Sequence, residues 1–211
     1  MALVSQYLDA LSAAATTLDR GVVERMAERL ATAWSSGQTV FVMGNGGSAS
    51  TASHLATDFA KLTAPDPKGP RLRTMALTDS VSTITAIGND FAYEEIFSEQ
   101  LRTYLSPGDV VIGLSTSGNS KNVLRAISFA RSQGAMTYGI TGNRGQALQR
   151  AAEDTLMIDT DSVQRIEDLS LVAGHIVCLM TRDLCADQVR LQGTATPADE
   201  RQPVYAQAPA R

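Results

Sequence analysis

The chain predicts an α/β fold, a three-layer sandwich in which helices cover both faces of a five-stranded parallel sheet. Three observations carry this. From residue 39 onward, short apolar runs alternate with amphipathic segments, the pattern of βαβ units. Two of those runs lead into turns rich in Gly, Ser and Asn that open helices. With 211 residues, 44% of them apolar, the chain is long enough to bury one sizeable core.

The elements follow in order. Leu3, Tyr7, Leu8, Leu11, Ala15 and Leu18 recur at helical spacing, and Val22, Val23, Met26, Leu30 and Trp34 repeat the pattern until Gly37 stops it. Two helices before any strand exceed what a βαβ unit needs, so residues 1–36 are expected to pack on another subunit or to form a bundle with other helices. Thr39-Val40-Phe41-Val42-Met43 reads as a buried parallel strand. A helix follows over Ser48–Lys61, a strand over Arg73–Thr78, and helices around Ser82–Ile87 and over Glu94–Leu105. Ser106-Pro107-Gly108-Asp109 is a turn. Val110–Leu114 is a strand, Ser120–Gln133 a helix and Met136–Thr141 a strand. A short helix over Gln146–Ala152, a strand over Thr155–Ile158 and a long helix over Val163–Asp187 complete the set. The Pro/Gly segment 64–70 is a loop inside one domain of residues 1–190. Residues 191–211, with three prolines and little apolar content, form a disordered tail.

Bulk properties narrow the function. A net charge of −4 and a pI near 5.2 argue against nucleic-acid or anionic-membrane partners, which need clustered Lys and Arg. No secretory signal is seen at the start, and no apolar stretch is expected to approach the roughly 20 residues that span a bilayer. Cys178 and Cys185, seven residues apart, lie about 10 Å apart along a helix, too far for a disulfide. They read as packing residues in a reducing compartment, the cytoplasm.

Parallel sheets bind ligands beyond the carboxyl ends of their strands. The turns Gly44-Asn45-Gly46-Gly47-Ser48 and Ser115-Thr116-Ser117-Gly118-Asn119-Ser120 stand at two such ends. Backbone N–H groups at a helix start, with the helix dipole, favour an anion. Hydroxyls on Ser115, Thr116, Ser117 and Ser120, without the Gly-Lys-Ser/Thr ending of a Walker loop, suggest a phosphate monoester held without metal. The bland reading is that Ser, Asn and Gly are simply good turn formers; two such turns at one sheet edge weaken it.

The two histidines of the chain each share a helix face with a carboxylate, His54 with Asp58 at i+4 and His175 with Glu167 eight residues before. Two His and two carboxylates are competent to bind Zn²⁺ or a similar divalent ion, and equally to serve as general acid and base. His175, flanked by Leu171, Val172, Ile176 and Val177, also fits a core histidine.

Gly44–Ser48, Ala86-Ile87-Gly88-Asn89-Asp90, Ser115–Leu124 and Arg165-Ile166-Glu167 with His175 resemble the sugar isomerase (SIS) domain, and most of all its phosphoheptose isomerases, over roughly residues 3 to 187. The resemblance implies a flavodoxin-like sheet and a homotetramer with interfacial sites. It implies a phosphate held at residues 115–120, with Asn45, Gly46, Gly47, Ser48, Asn89, Asp90 and Glu167 near the sugar. A divalent metal, usually zinc, is implied at His54, Asp58, Glu167 and His175. Asp58 and His175 are implied as base and acid in an enediol conversion of sedoheptulose 7-phosphate to glycero-manno-heptose 7-phosphate. The chain departs from the family pattern at four places: Asp58 stands for the usual Glu, Glu167 for Gln, Leu62 for Arg and Gln164 for Asp. Two other SIS roles compete with isomerisation, a non-catalytic assembly factor and a sugar-phosphate sensor. An assembly factor has no physical reason to keep four metal-capable residues together. The sensor lacks a basic DNA-binding helix in residues 1–36.

Overall fold

A computed structural model describes residues 2–64 and 69–191. Five strands form one sheet: β1 (Thr39–Met43), β2 (Arg73–Ala76), β3 (Val110–Leu114), β4 (Met136–Gly142) and β5 (Asp154–Ile158). Its order is β2-β1-β3-β4-β5 and all pairings are parallel. The expected sheet is therefore present. The helices are α1 (Ala2–Thr16), α2 (Arg20–Ser35), α3 (Gly47–Leu62), α4 (Val81–Asp90), α5 (Ser98–Tyr104), α6 (Lys121–Ser132), α7 (Gln146–Ala151) and α8 (Val163–Leu191).

Strand alternation builds the layers. Successive side chains point to opposite faces. Val40, Val42, Val110 and Ile112 join one core with residues of α2, α3 and α8, whereas Phe41, Met43 and Val111 join a second with residues of α5, α6 and α7. Each face is thus sealed by helices, which is why the strands read as unbroken apolar runs.

Local signals set the boundaries. Asp19 caps α2 by accepting from the N–H groups of Gly21 (2.9 Å) and Val22 (3.3 Å). Buried Asp109 accepts from the N–H of Thr39 and of Ser106, both at 2.8 Å, and so ties the 106–109 turn to the start of β1. α2 packs most heavily on α8, the bundle alternative for the N-terminal pair. α1 buries only Ala14 and leaves Leu3, Val4 and Leu8 exposed.

Two expectations change. The helix over 94–105 is split: a 3₁₀ turn spans Tyr93–Glu95 and α5 begins at Ser98. Ser98 Oγ donates to the Glu95 carboxylate (2.6 Å) and to its carbonyl (3.2 Å), a local competitor to helical bonding. Glu94 and Glu95 meanwhile pair outward with Lys121 and Arg125. The closing helix runs to Leu191, and α8 as a whole is long and apolar enough to cross a membrane by composition. Its packing is that of a core helix, with Ile166, Leu169, Ala173, Val177 and Cys178 in the core shared with α2 and α3. The tail beyond Leu191 and residues 65–68 of the Pro/Gly loop lie outside the described residues.

Candidate active site

β1 and β3 are neighbours although β2 intervenes in sequence, so the chain leaves them in opposite directions. This is the switch point at which an open α/β sheet forms its ligand crevice. The loops after β1 and β3 flank it, and both start helices without a side-chain cap: neither Gly46 before α3 nor Ser120 before α6 makes a capping bond. Ser120 Oγ instead lies 3.0 Å from Ser115 Oγ. Ser117 Oγ accepts from the N–H of Asn119 at 3.2 Å. Ser115 is buried, Thr116 and Ser120 half-buried, and Ser117 exposed. The hydroxyls therefore line the start of α6 from its floor to its rim.

The two loops differ in charge. A Cβ placed on Gly47 would lie 2.2 Å from Glu167 Oε1, which locates that carboxylate against the first turn of α3. An anion already stands at this helix start. A phosphate at the first loop would meet this carboxylate, whereas the second presents hydroxyls at its helix start.

A side-chain network joins the loops. Asn45 Nδ2 donates to Asn122 Oδ1 and Asn122 Nδ2 to Asn45 Oδ1, each at 2.9 Å. Tyr93 OH donates to Asn45 Oδ1 at 3.0 Å. Asn122 and Tyr93 were not expected from the sequence, where Asn122 passes as an ordinary helix-start residue. Asn89 and Asp90 end α4, just before this turn; Asn89 Nδ2 donates to Asp90 Oδ1 at 2.8 Å, and both are exposed. Ser48 is buried at the start of α3.

The second centre lies where α3 crosses α8. His54 Nε2 is 3.3 Å and His175 Nε2 3.4 Å from Asp58 Oδ2, and the two imidazole nitrogens are 3.1 Å apart. Donors around a tetrahedral ion at about 2.0–2.1 Å are about 3.3 Å from one another, so the three atoms match one face of such a shell. Both imidazoles are nearly half exposed. Three protein donors with an open side is the arrangement of catalytic rather than structural metal sites. Glu167, the fourth expected ligand, does not join this group. Eight residues are about 12 Å along a helix axis, and its carboxylate lies against the Gly47 turn. The shorter Asp58 nonetheless reaches both imidazoles.

The surrounding cations are engaged. Lys121 donates to Glu94 at 2.8 Å, Arg125 pairs with Glu94 and Glu95, and Arg165 donates to Thr160 Oγ1 at 3.2 Å. Lys61 lines a separate cleft of about 870 Å³ between α3, β2 and α5 that contains none of the candidate residues. Cys178 lies beside the metal-capable group, its Sγ 3.6 Å from the Asp58 carbonyl. Burial, with the Asp58 charge adding to it, pushes its thiol up to about 12. Cys178 and Cys185 are free and buried, as expected.

A switch-point crevice with a hydroxyl-rich helix start defines the class, and the SIS-domain family profile matches residues 5–142. A probable phosphoheptose isomerase of Thermoplasma acidophilum is 39% identical over 83% of this chain and 95% of its own length. The phosphoheptose isomerase of Akkermansia muciniphila is 36% identical over 78% and 86%. The solved phosphoheptose isomerase of Neisseria gonorrhoeae superposes with a TM-score of 0.76 at 30% identity, covering 89% of this chain and 96% of that one. The chain belongs to the phosphoheptose isomerase family of SIS domains.

Proposed function

We propose that the chain is an aldose–ketose isomerase that interconverts sedoheptulose 7-phosphate and glycero-manno-heptose 7-phosphate. The observation that carries the reading is the His54–Asp58–His175 group in a chain whose relatives are named for this activity. The Ser115, Thr116, Ser117 and Ser120 hydroxyls hold the phosphate. The Glu167 carboxylate keeps it from the first loop and leaves Asn45, Gly46, Gly47, Ser48, Asn89 and Asp90 to the sugar. Binding energy at the phosphate then orients carbons several bonds away.

His54, Asp58 and His175 fit a divalent ion, and we assign zinc on the mixed nitrogen and oxygen donors. When bound, it supplies Lewis-acid polarisation of a substrate carbonyl. Asp58 turns Oδ2 to both imidazoles, which leaves Oδ1 to take the proton from the carbon beside the carbonyl. The enediol forms, and the proton returns to the neighbouring carbon. With Nε2 turned to the metal-capable group, His175 acts through Nδ1–H: it gives a proton to the carbonyl oxygen as the enediol forms and takes one from the neighbouring hydroxyl as the new carbonyl forms.

Val172, Ile176 and Leu179 form an exposed apolar stripe on α8 beside His175, and Leu3, Val4 and Leu8 form another on α1. We assign these faces to subunit contacts of a homotetramer with sites at its interfaces, checked by sedimentation. Two buried free thiols support a reducing, cytoplasmic setting. Incubation with sedoheptulose 7-phosphate in D₂O, followed by proton NMR with and without a chelator, tests the whole reading. Aldose formation, or deuterium beside the carbonyl, lost with chelator, is the expected result. Neither conversion nor exchange from folded, metal-supplied protein would refute it.

A further inference from the structure

The Asn45–Asn122 pair has only one self-consistent orientation. The N–H of Val123 can only donate, and it meets Asn122 Oδ1 at 2.9 Å. That fixes Asn122 Nδ2 toward Asn45 Oδ1, and hence Asn45 Nδ2 toward Asn122 Oδ1. Each amide oxygen now accepts twice. Asn122 Oδ1 takes Val123 N–H and Asn45 Nδ2–H; Asn45 Oδ1 takes Asn122 Nδ2–H and Tyr93 O–H. An amide oxygen has two lone pairs, so the acceptor capacity of both side chains is exhausted. Asn45 retains one N–H and nothing else to offer the crevice.

Tyr93 is held in place for this contact. The two residues after it pair across to α6, Glu94 with Lys121 and Arg125, and Glu95 with Arg125. The 3₁₀ turn is thereby fastened to the same helix that carries Asn122.

We propose that Asn122 and Tyr93 are positioning residues that lock Asn45 as a donor-only group, so that it recognises an acceptor oxygen of the bound sugar phosphate. This rests on the isomerase reading above. Tyr93→Phe removes one hydroxyl from a 60% exposed ring and leaves the rest of the side chain intact, so it tests the idea without threatening the fold. Loss of one such bond corresponds to about three- to tenfold in kcat/KM.

The experiment is a double-mutant cycle on kcat/KM with sedoheptulose 7-phosphate, using Tyr93→Phe, Asn45→Ala and the double variant, with Asn122→Ala as a second arm. If Tyr93 and Asn122 act through Asn45, each substitution lowers kcat/KM in the wild-type background and has no further effect once Asn45 is Ala. A purely structural role would lower activity equally in both backgrounds. Equal effects in the two backgrounds, or no effect of Tyr93→Phe on the wild type, would overturn the inference while leaving the isomerase reading intact. Absence of turnover by the wild type would overturn the isomerase reading, and this inference with it.

Discussion

His54 Nε2 lies 3.1 Å from His175 Nε2, although 121 residues separate them in sequence. The rings do not stack. Their planes are tilted by 56° with centroids 5.1 Å apart, so nitrogens rather than ring faces approach. With Asp58 Oδ2 within 3.4 Å of both, two imidazole nitrogens and one carboxylate oxygen share one small volume. One divalent cation can take all three atoms as donors at once, whereas one hydrogen bond joins only two of them.

The group should therefore bind metal stoichiometrically and lose it when any member is removed. His54→Ala, Asp58→Asn and His175→Ala are each expected to abolish bound zinc, measured by elemental analysis of purified protein. Activity should fall by more than about a hundredfold, since even outer-shell changes at metal sites cost roughly 10–100-fold. Glu167→Gln should retain the metal, because its carboxylate stands at Gly47 rather than in the group. Metal lost from Glu167→Gln as completely as from His175→Ala would contradict the three-donor assignment.

The second loop should act on binding more than on chemistry. Ser115→Ala and Ser120→Ala each delete a hydroxyl facing the start of α6. A hydrogen bond to a charged group contributes about 1.5–3 kcal/mol, so KM for the sugar phosphate should rise about tenfold or more with kcat little changed. Ser48→Ala on the first loop should not weaken competition by inorganic phosphate, because Glu167 already places negative charge there. Steady-state kinetics with phosphate as competitor separates the two loops.

What the sequence showed of this site, and what it hid, follows from range. The strands were legible because sheets buried on both faces need continuous apolar runs, as in Val40–Met43 and Val110–Leu114. His54 and Asp58 were legible because i and i+4 share a helix face. The split near Glu95 was not, since the local Ser98–Glu95 bonds are joined there by pairs of Glu94 and Glu95 with Lys121 and Arg125 from another helix. Glu167 and His175 share a face of α8, but the distance along the axis sends one to the Gly47 turn and the other to the metal-capable group. Asn122 lay inside the Ser115–Leu124 block, but its pairing was hidden: its partner Asn45 is 77 residues away, and only the β1–β3 adjacency brings them together.

Alkaline pH should destabilise the fold before it ionises the native thiols. Burial pushes Cys178 and Cys185 from an ordinary 9.0 to about 12, and Tyr138 from 10.0 to about 12. These groups lose their protons more readily when unfolded, so the unfolded state binds fewer protons above pH 9. Their contribution is fully present below pH 9 and falls as pH rises through about 12. Urea midpoints should decline from pH 9 to 11, and native protein at pH 8 should resist a thiol reagent that labels both cysteines once urea is added. Rapid labelling of the native protein would show that the thiols are not buried.

Gly174 decides whether the metal-capable group can form. A Cβ there would lie 2.2 Å from Leu55 Cδ2, so α8 approaches α3 only because this residue lacks one. His175 follows Gly174 and His54 precedes Leu55, which makes the crossing point and the donor group one construction. Gly174→Ala gains about 1 kcal/mol of helix propensity and costs about 1–3 kcal/mol of overpacking. The net change, from about zero to about 2 kcal/mol of destabilisation, moves the melting temperature by only several degrees, so stability is a poor readout. Geometry is a better one. Pushing the helices apart by a fraction of an ångström moves His175 away from both His54 and Asp58 without touching either. Gly174→Ala is therefore expected to fold, to melt within several degrees of the wild type, and to hold zinc far more weakly. A Leu55→Ala, Gly174→Ala double variant, which restores the space, should recover part of the affinity. Wild-type zinc affinity in the single variant would mean that the close packing of α3 on α8 serves stability alone.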